Sequence, residues 1–212
     1  MKILVLGGTG RTGRIFVKLA AEKGHQVTAI VRNKSKATIP GVSYIEGSPT
    51  DLKLVSEAVK GMDAVVVSLN INRTSDSPFA RITSPLTIIS DSVKTLIEAM
   101  KNQGVRRVIS VSASGVGDSW KDMPFIGRLF IRNTNIWKAY LDHDRQEKAL
   151  RASVLDWTIV RPVMLTDKED ESYKVTNARA TAPKISRKGV AKFILDSLEQ
   201  EKHVRECVTL NA

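Results

Sequence analysis

Short runs of consecutive apolar residues alternate along the chain with longer stretches in which apolar positions recur every three or four residues. Lys2–Leu6, Val27–Val31, Val42–Ile45, Ala64–Val67, Arg107–Val111 and Thr158–Val160 are of the first kind, and Cys207–Leu210 is a seventh candidate to close a sheet. Continuous rather than alternating apolarity marks strands covered on both faces. Helical patterns run over Arg11–Lys23, closed by Gly24, and over Asp51–Val59. In a longer one Leu86, Ile89, Val93, Ile97 and Met100 share a face and Gly104 ends the run. Two more are predicted, from about Asn135 to Ala152 and along the stripe Val190, Phe193, Ile194, Leu198.

Strands that alternate with helices pair in parallel, because each crossover returns over the sheet. The expected architecture is α/β: a Rossmann-type, doubly wound, mostly parallel sheet in the order 3-2-1-4-5-6, with room for a seventh strand and helices on both faces. No Gly/Ser-rich linker or internal repeat divides the 212 residues. One domain is expected, its substrate side built from roughly 115–140 and 162–186.

Within that pattern, Gly7-Gly8-Thr9-Gly10-Arg11-Thr12-Gly13 joins the first strand to the first helix. Gly8-x-Gly10-x-x-Gly13 fits the dinucleotide fingerprint, and Gly7-x-x-Gly10-x-x-Gly13 fits its variant. Either pattern alone is weak; its position between a strand and a helix gives it weight. Glycine permits a tight turn and close backbone approach, and the first amides of the helix point at a pyrophosphate. An NAD site places Asp or Glu about 20 residues further on, against the ribose hydroxyls. Here Ile30-Val31 is followed by Arg32, with no acid until Glu46. Arg32 can pair with a 2′-phosphate, reinforced by Arg11, Lys34 and Lys36, so NADP is the expected cofactor.

Composition narrows the setting. Hydrophobic residues at 42% and charged residues at 26% are ordinary globular values. Cys207 is the single cysteine, which excludes an intrachain disulfide and makes a reducing, cytoplasmic location the default. The opening Met-Lys-Ile-Leu-Val-Leu is too short for a secretory signal, and no run approaches the ~18 apolar residues of a membrane span, so no membrane partner is expected. The net charge of +11 is spread from end to end without a nucleic-acid-binding motif. It reads as a field that draws small anions, not as a nucleic-acid interface. His25, His143 and His203 show no metal-ligand spacing, so no metal is expected.

Beyond the glycine loop, the chain carries Gly61-Met62-Asp63-Ala64-Val65, Leu150-Arg151-Ala152-Ser153 and Leu155-Asp156-Trp157-Thr158-Ile159-Val160-Arg161-Pro162, the last in an order that has no generic structural reason. With them the chain resembles, over nearly its whole length, the atypical short-chain dehydrogenase/reductase group that includes NmrA-like proteins and NADPH-dependent flavin reductases of the biliverdin-IXβ reductase type. The resemblance implies hydride transfer from NADPH to a flavin or a similar conjugated acceptor, the flavin being substrate rather than a tightly held group. It also implies that Gly7, Thr9, Gly10, Arg11, Thr12 and Gly13 hold the pyrophosphate, that Arg32 holds the 2′-phosphate and that Ser48 meets the adenine. Leu69 and Asn70 would then lie along the adenosine and ribose, and Ser112, Ala113, Pro162 and Val163 beside the nicotinamide ribose.

Two departures stand out. Gly47-Ser48 replaces the Gly-Asp found near the adenine in many relatives, and the Tyr-x-x-x-Lys pair of typical members is missing, since Tyr140 is followed by Asp144. His143 occupies the position where relatives often carry lysine. Its unperturbed pKa of about 6.5 suits a proton donor or an acceptor-orienting group, although its charged neighbours Asp142, Asp144 and Arg145 read more readily as a solvated surface. Ser112 is the second catalytic candidate; its alternative is a bond to its own backbone. The segment 115–140 interleaves Trp120, Phe125, Phe130, Trp137 and Tyr140 with Lys121, Arg128, Arg132 and Lys138, which fits an aromatic flap over a cleft, a helix on the sheet edge or a dimer contact. The expected partner is a small-molecule acceptor, and the expected state is monomer or homodimer. The competing class is an NmrA-like protein that binds NADP as a sensor without turnover.

Overall fold

The computed structural model describes residues 1–36, 38–176 and 182–212. The first half runs β1 (Lys2–Leu6), α1 (Arg11–Glu22), β2 (Gln26–Val31), β3 (Ser43–Glu46), α2 (Leu52–Val59), β4 (Ala64–Val67) and α3 (Ile88–Gln103). The second runs β5 (Arg107–Val111), α4 (Phe125–Arg132), α5 (Ile136–Arg151), β6 (Asp156–Pro162), β7 (Met164–Thr166), β8 (Lys174–Thr176), β9 (Lys184–Ser186), α6 (Arg187–Glu199) and β10 (Glu206–Asn211).

The main sheet has the order β3-β2-β1-β4-β5-β6-β10-β8. This is the expected doubly wound arrangement. The seventh strand is β10, parallel to β6 with Val208 opposite Val160, and β8 adds an antiparallel edge that the sequence pattern did not reveal. Short β7 and β9 pair separately beside it. Strands β1 and β4 are almost wholly buried because helices cover both faces. Phe16, Val17, Val190, Phe193 and Ile194 of α1 and α6 pack on one face. Val55, Val93, Leu96, Met100 and Leu150 of α2, α3 and α5 pack on the other.

Local signals decide the helix ends. Asp51 caps α2 by accepting from the Leu54 amide at 3.1 Å, and Gly104 closes α3 at φ 70°. Leu86, placed on the face of α3 by its spacing, precedes the helix and is exposed. Residues 85–88 form a turn in which Ile88 N donates to Pro85 O at 3.4 Å, and α3 begins only at Ile88.

Candidate functional site

The carboxyl ends of β1, β4, β5 and β6 meet along one edge of the sheet, and the loops leaving them build the candidate site. Gly7 follows β1 with φ +90°, and a Cβ there would run into the Ser68 carbonyl just beyond β4. A Cβ on Gly13 would collide with the Gly7 carbonyl. The loop is therefore folded too tightly for side chains at these two positions, and its backbone stays open to a ligand. Gly10 N donates to Gly7 O at 3.0 Å, after which α1 starts without a side-chain cap and with no acid in its first turn. Its leading amides lack intrahelical acceptors, as an anion site requires. Thr12 and Gly13 are buried under the loop, and Thr9 is half-buried at its crest.

Arg11 is tied to two carboxylates, Asp76 at 2.7 Å and Asp167, and Arg187 reaches the other Asp167 oxygen at 2.6 Å. Its hydrogen bond to Asp167, with Asp76 in support, holds the Arg11 guanidinium above its ordinary pKa. Sequence reading placed Arg11 on the pyrophosphate and offered no hint of these acids, which come from loops 65 and 156 residues away.

Arg32 lies exposed at the end of β2, in the expected place. Glu46, distant in sequence, is not distant in space: it pairs in register with Val31, and its carboxylate accepts from the Lys34 amide at 3.2 Å. The Ser48 hydroxyl is engaged locally, at 2.7 Å from Thr50 Oγ1 and accepting from the Thr50 amide. Leu69 packs against the core layer beneath the loop, and Asn70 accepts from the Ile71 amide and lines the cavity beyond it. Lys36 carries a side chain outside the described set.

That cavity has a volume of about 860 Å³. Arg11, Asn70, Ser112, Ala113, Pro162, Val163 and His143 all border it, so the predicted nicotinamide-side residues converge. Glycine loop, helix terminus and cavity form one continuous edge, and the residues present fit a dinucleotide with a second molecule beside it.

The family comparison agrees with this geometry. The model of the NAD(P)H-binding family matches residues 7–201. The chain belongs to that family. The protein YwnB of Bacillus subtilis is 27% identical over 224 residues, spanning 99% of this chain and 98% of its own. A short-chain dehydrogenase/reductase from Veillonella parvula, solved with NADP, superposes with a TM-score of 0.79 at 20% identity, over 100% of this chain and 94% of that one. An Escherichia coli O157:H7 protein described as an anaerobillin reductase, ChuY, gives 0.82 at 20% identity, over 99% and 96%. At that identity the two structures speak for the fold, a Rossmann-type NAD(P)-binding one.

In this NAD(P)H-binding protein the inner wall of the cavity corrects the solvated reading of His143 and the backbone-bonded alternative for Ser112. His143 is buried, not solvated, and burial lowers its pKa from 6.5 to about 4. A network fixes its tautomer. Gln146 Nε2 donates to the Val111 carbonyl at 3.0 Å, while Gln146 Oε1 accepts from the Ser110 hydroxyl at 2.9 Å. The same Nε2 faces His143 Nδ1 at 2.6 Å and must donate to it, which leaves the ring proton on Nε2. At neutral pH His143 is a neutral hydrogen-bonding group, not a reservoir of protons.

Ser112 bonds neither its own backbone nor open space. Its hydroxyl donates to Glu147 Oε1 at 2.6 Å. Arg161 grips the same carboxylate from Nε at 3.0 Å and from Nη2 at 2.5 Å, and also reaches Asp118 at 2.6 Å. Burial by itself would lower the Arg161 guanidinium, but Glu147 and Asp118 carry it above its ordinary value. Tyr140 donates to the Ser114 carbonyl at 2.9 Å, and burial raises its pKa to about 12. Tyr140, which lacks the lysine partner of typical relatives, lines the cavity as a member of the aromatic segment.

Both stretches assigned to the substrate side, roughly 115–140 and 162–186, contribute to the cavity wall, though 177–181 lie outside the described residues. A 3-10 segment, Gly117–Asp122, leads into α4. Trp120 and Trp137 lie 5.1 Å apart with the Arg132 guanidinium over both rings, a packed corner rather than an open stacking platform.

Proposed function

We propose that the protein is an NADPH-dependent reductase passing hydride to a flavin or a similar conjugated, quinone-like acceptor. One observation carries the reading: a large cavity, with Ile131, Ile136, Val163 and Leu165 among its walls, adjoins the predicted nicotinamide end. There neither Tyr140, raised to about 12, nor His143, lowered to about 4, is poised to exchange a proton at neutral pH.

Reduction of a carbonyl needs such an acid at the oxygen. A ring that takes hydride at nitrogen or into a conjugated system collects its proton from solvent, and the protein's task becomes positioning. NADPH supplies the hydride when bound. The first turn of α1 and Arg11 would hold its pyrophosphate and Arg32 its 2′-phosphate, while His143 Nε2–H offers a donor to a ring carbonyl or carboxamide. The partner is accordingly a small, flat acceptor.

The same scarcity of acids favours a second reading, binding of NADP by a sensor without turnover. Mixing the protein with NADPH and FMN, riboflavin or a quinone, and following the nicotinamide absorbance, separates the two. Oxidation of NADPH by at least one acceptor is expected. Tight binding of NADPH with every acceptor left unreduced would replace the reductase reading by the sensor.

A further inference from the structure

Helix α4 presents a face that the core does not use. Gly127 and Ile131 turn towards the cavity, whereas Phe125, Ile126 and Leu129 stand outside it, Phe125 being 70% exposed and Ile126 80%. The spacing i, i+1, i+4 puts these three on one side of the helix. Phe79, also well exposed, sits on the neighbouring loop, which Asn135 ties to the end of α4 through the Phe79 and Ala80 carbonyls. Three large apolar side chains on one helix face, with Phe79 exposed on the loop bonded just beyond that helix, differ from the scattered exposed leucines of an ordinary surface. Between Lys121 and Lys138, both exposed, the chain adds Arg132, exposed over its two tryptophans, and the half-buried Arg128, with a single acid, Asp122; on the adjoining loop Arg81 is exposed and Asp76 is paired with Arg11.

We propose that this face docks on an anionic lipid surface, the apolar side chains entering the headgroup boundary and the cations lying over the headgroups. A lipid surface answers both halves of the patch, apolar depth and negative charge. A second copy of this chain does not: pairing across the face would press like charges together on a molecule that already carries +11. The face is also a helix ridge rather than a groove, which suits insertion better than capture of an extended peptide. Phe130 belongs both to the exposed side of α4 and to the cavity lining, so docking turns the cavity mouth towards the lipid. The sequence expectation of no membrane partner rested on the missing span, and a ridge on an eight-residue helix leaves no such trace.

Sedimentation of the full chain with vesicles tests this without any turnover, so its outcome is independent of the proposed reaction. Wild type should pellet with phosphatidylglycerol vesicles and remain in solution with phosphatidylcholine. The triple variant Phe125→Ser, Ile126→Ser, Leu129→Ser should partition at least ~30-fold less, since three buried apolar side chains are lost. None of the three lines the cavity, so NADPH affinity should be retained and reports an intact fold. Three results would overturn the proposal. One is wild type left in solution with both lipids, and another is equal pelleting of wild type and variant, which reduces the effect to overall charge. The third is a dimer in solution that the variant abolishes, which assigns the face to a second copy.

Discussion

Glu147→Ala is expected to rank among the costliest single substitutions in the chain. The side chain is 3% exposed against an Arg161 side chain at 6%, and it accepts from Arg161 Nε, Arg161 Nη2 and the Ser112 hydroxyl. Alanine strands the guanidinium with Asp118, a residue that is 59% exposed and shared with Arg151. Breaking a buried pair from one side costs about 3–5 kcal/mol, because the remaining charge stays desolvated. The contact with Asp118 places the expected value at the lower end, about 3 kcal/mol. For a domain of this size, with about 2–4 °C per kcal/mol, the melting temperature should fall by about 6–12 °C. Thermal and urea unfolding of wild type, Glu147→Ala, Glu147→Gln and the double variant Glu147→Met/Arg161→Met would measure it. Glutamine should cost less than alanine, and the double apolar variant should recover most of the loss, since it removes both charges together. A melting temperature within about 2 °C of wild type for Glu147→Ala would show that the pair carries no such weight.

Three further outcomes follow from the site. Arg32→Asp should weaken NADPH at least tenfold more than NADH, measured by titration of intrinsic fluorescence; equal losses would remove Arg32 from the 2′-phosphate. Gly13→Ala drives a Cβ into the Gly7 carbonyl and should destabilise the chain by about 1–3 kcal/mol while weakening NADPH and NADH alike; unchanged binding of both would refute the loop assignment. The last concerns pH. His143 has its pKa lowered to about 4 by burial, so the native state resists a proton that the unfolded chain accepts below pH 6.5. Its contribution is complete above pH 6.5 and is lost as pH falls through about 4, up to about 3 kcal/mol in all. Melting temperatures of wild type should therefore drop more steeply over that window than those of His143→Asn, and parallel curves would contradict the shift.

What the sequence made legible was whatever a single stretch of chain decides. Lys2–Leu6 and Ala64–Val67 could only be covered strands, and Gly104 could only end a helix, so the winding order followed. What stayed hidden depended on partners far along the chain. Asp142 looked like surface charge, yet it is wholly buried and accepts from the Ile89 and Ser90 amides, capping α3 from another helix. With Asp142 turned inward, its neighbour His143 is carried in as well, against the reading of its charged context. Glu46 stands well beyond Arg32 in sequence, yet strand pairing sets it opposite Val31. A helix within 115–140 was among the readings of that segment, but its spacing could not tell that Phe125, Ile126 and Leu129 face outward.

Those inward groups on α5 have a mechanical consequence. Asp142, His143, Gln146 and Glu147 sit at i, i+1, i+4 and i+5, each engaged by a different element: α3, the helix itself, β5 and β6. A slide of α5 by one turn, about 5.4 Å, would leave several polar groups facing aliphatic side chains with no acceptor or donor in reach. The helix is thus keyed into its seat like a bolt with several wards, whereas α4 buries a single side chain, Ile131. In the proposed reaction, an acceptor entering between the two would meet one wall that holds its shape and one that can yield. On that proposal, differences in acceptor size would be absorbed on the α4 side, while α5 would set the placement of the ring against the nicotinamide.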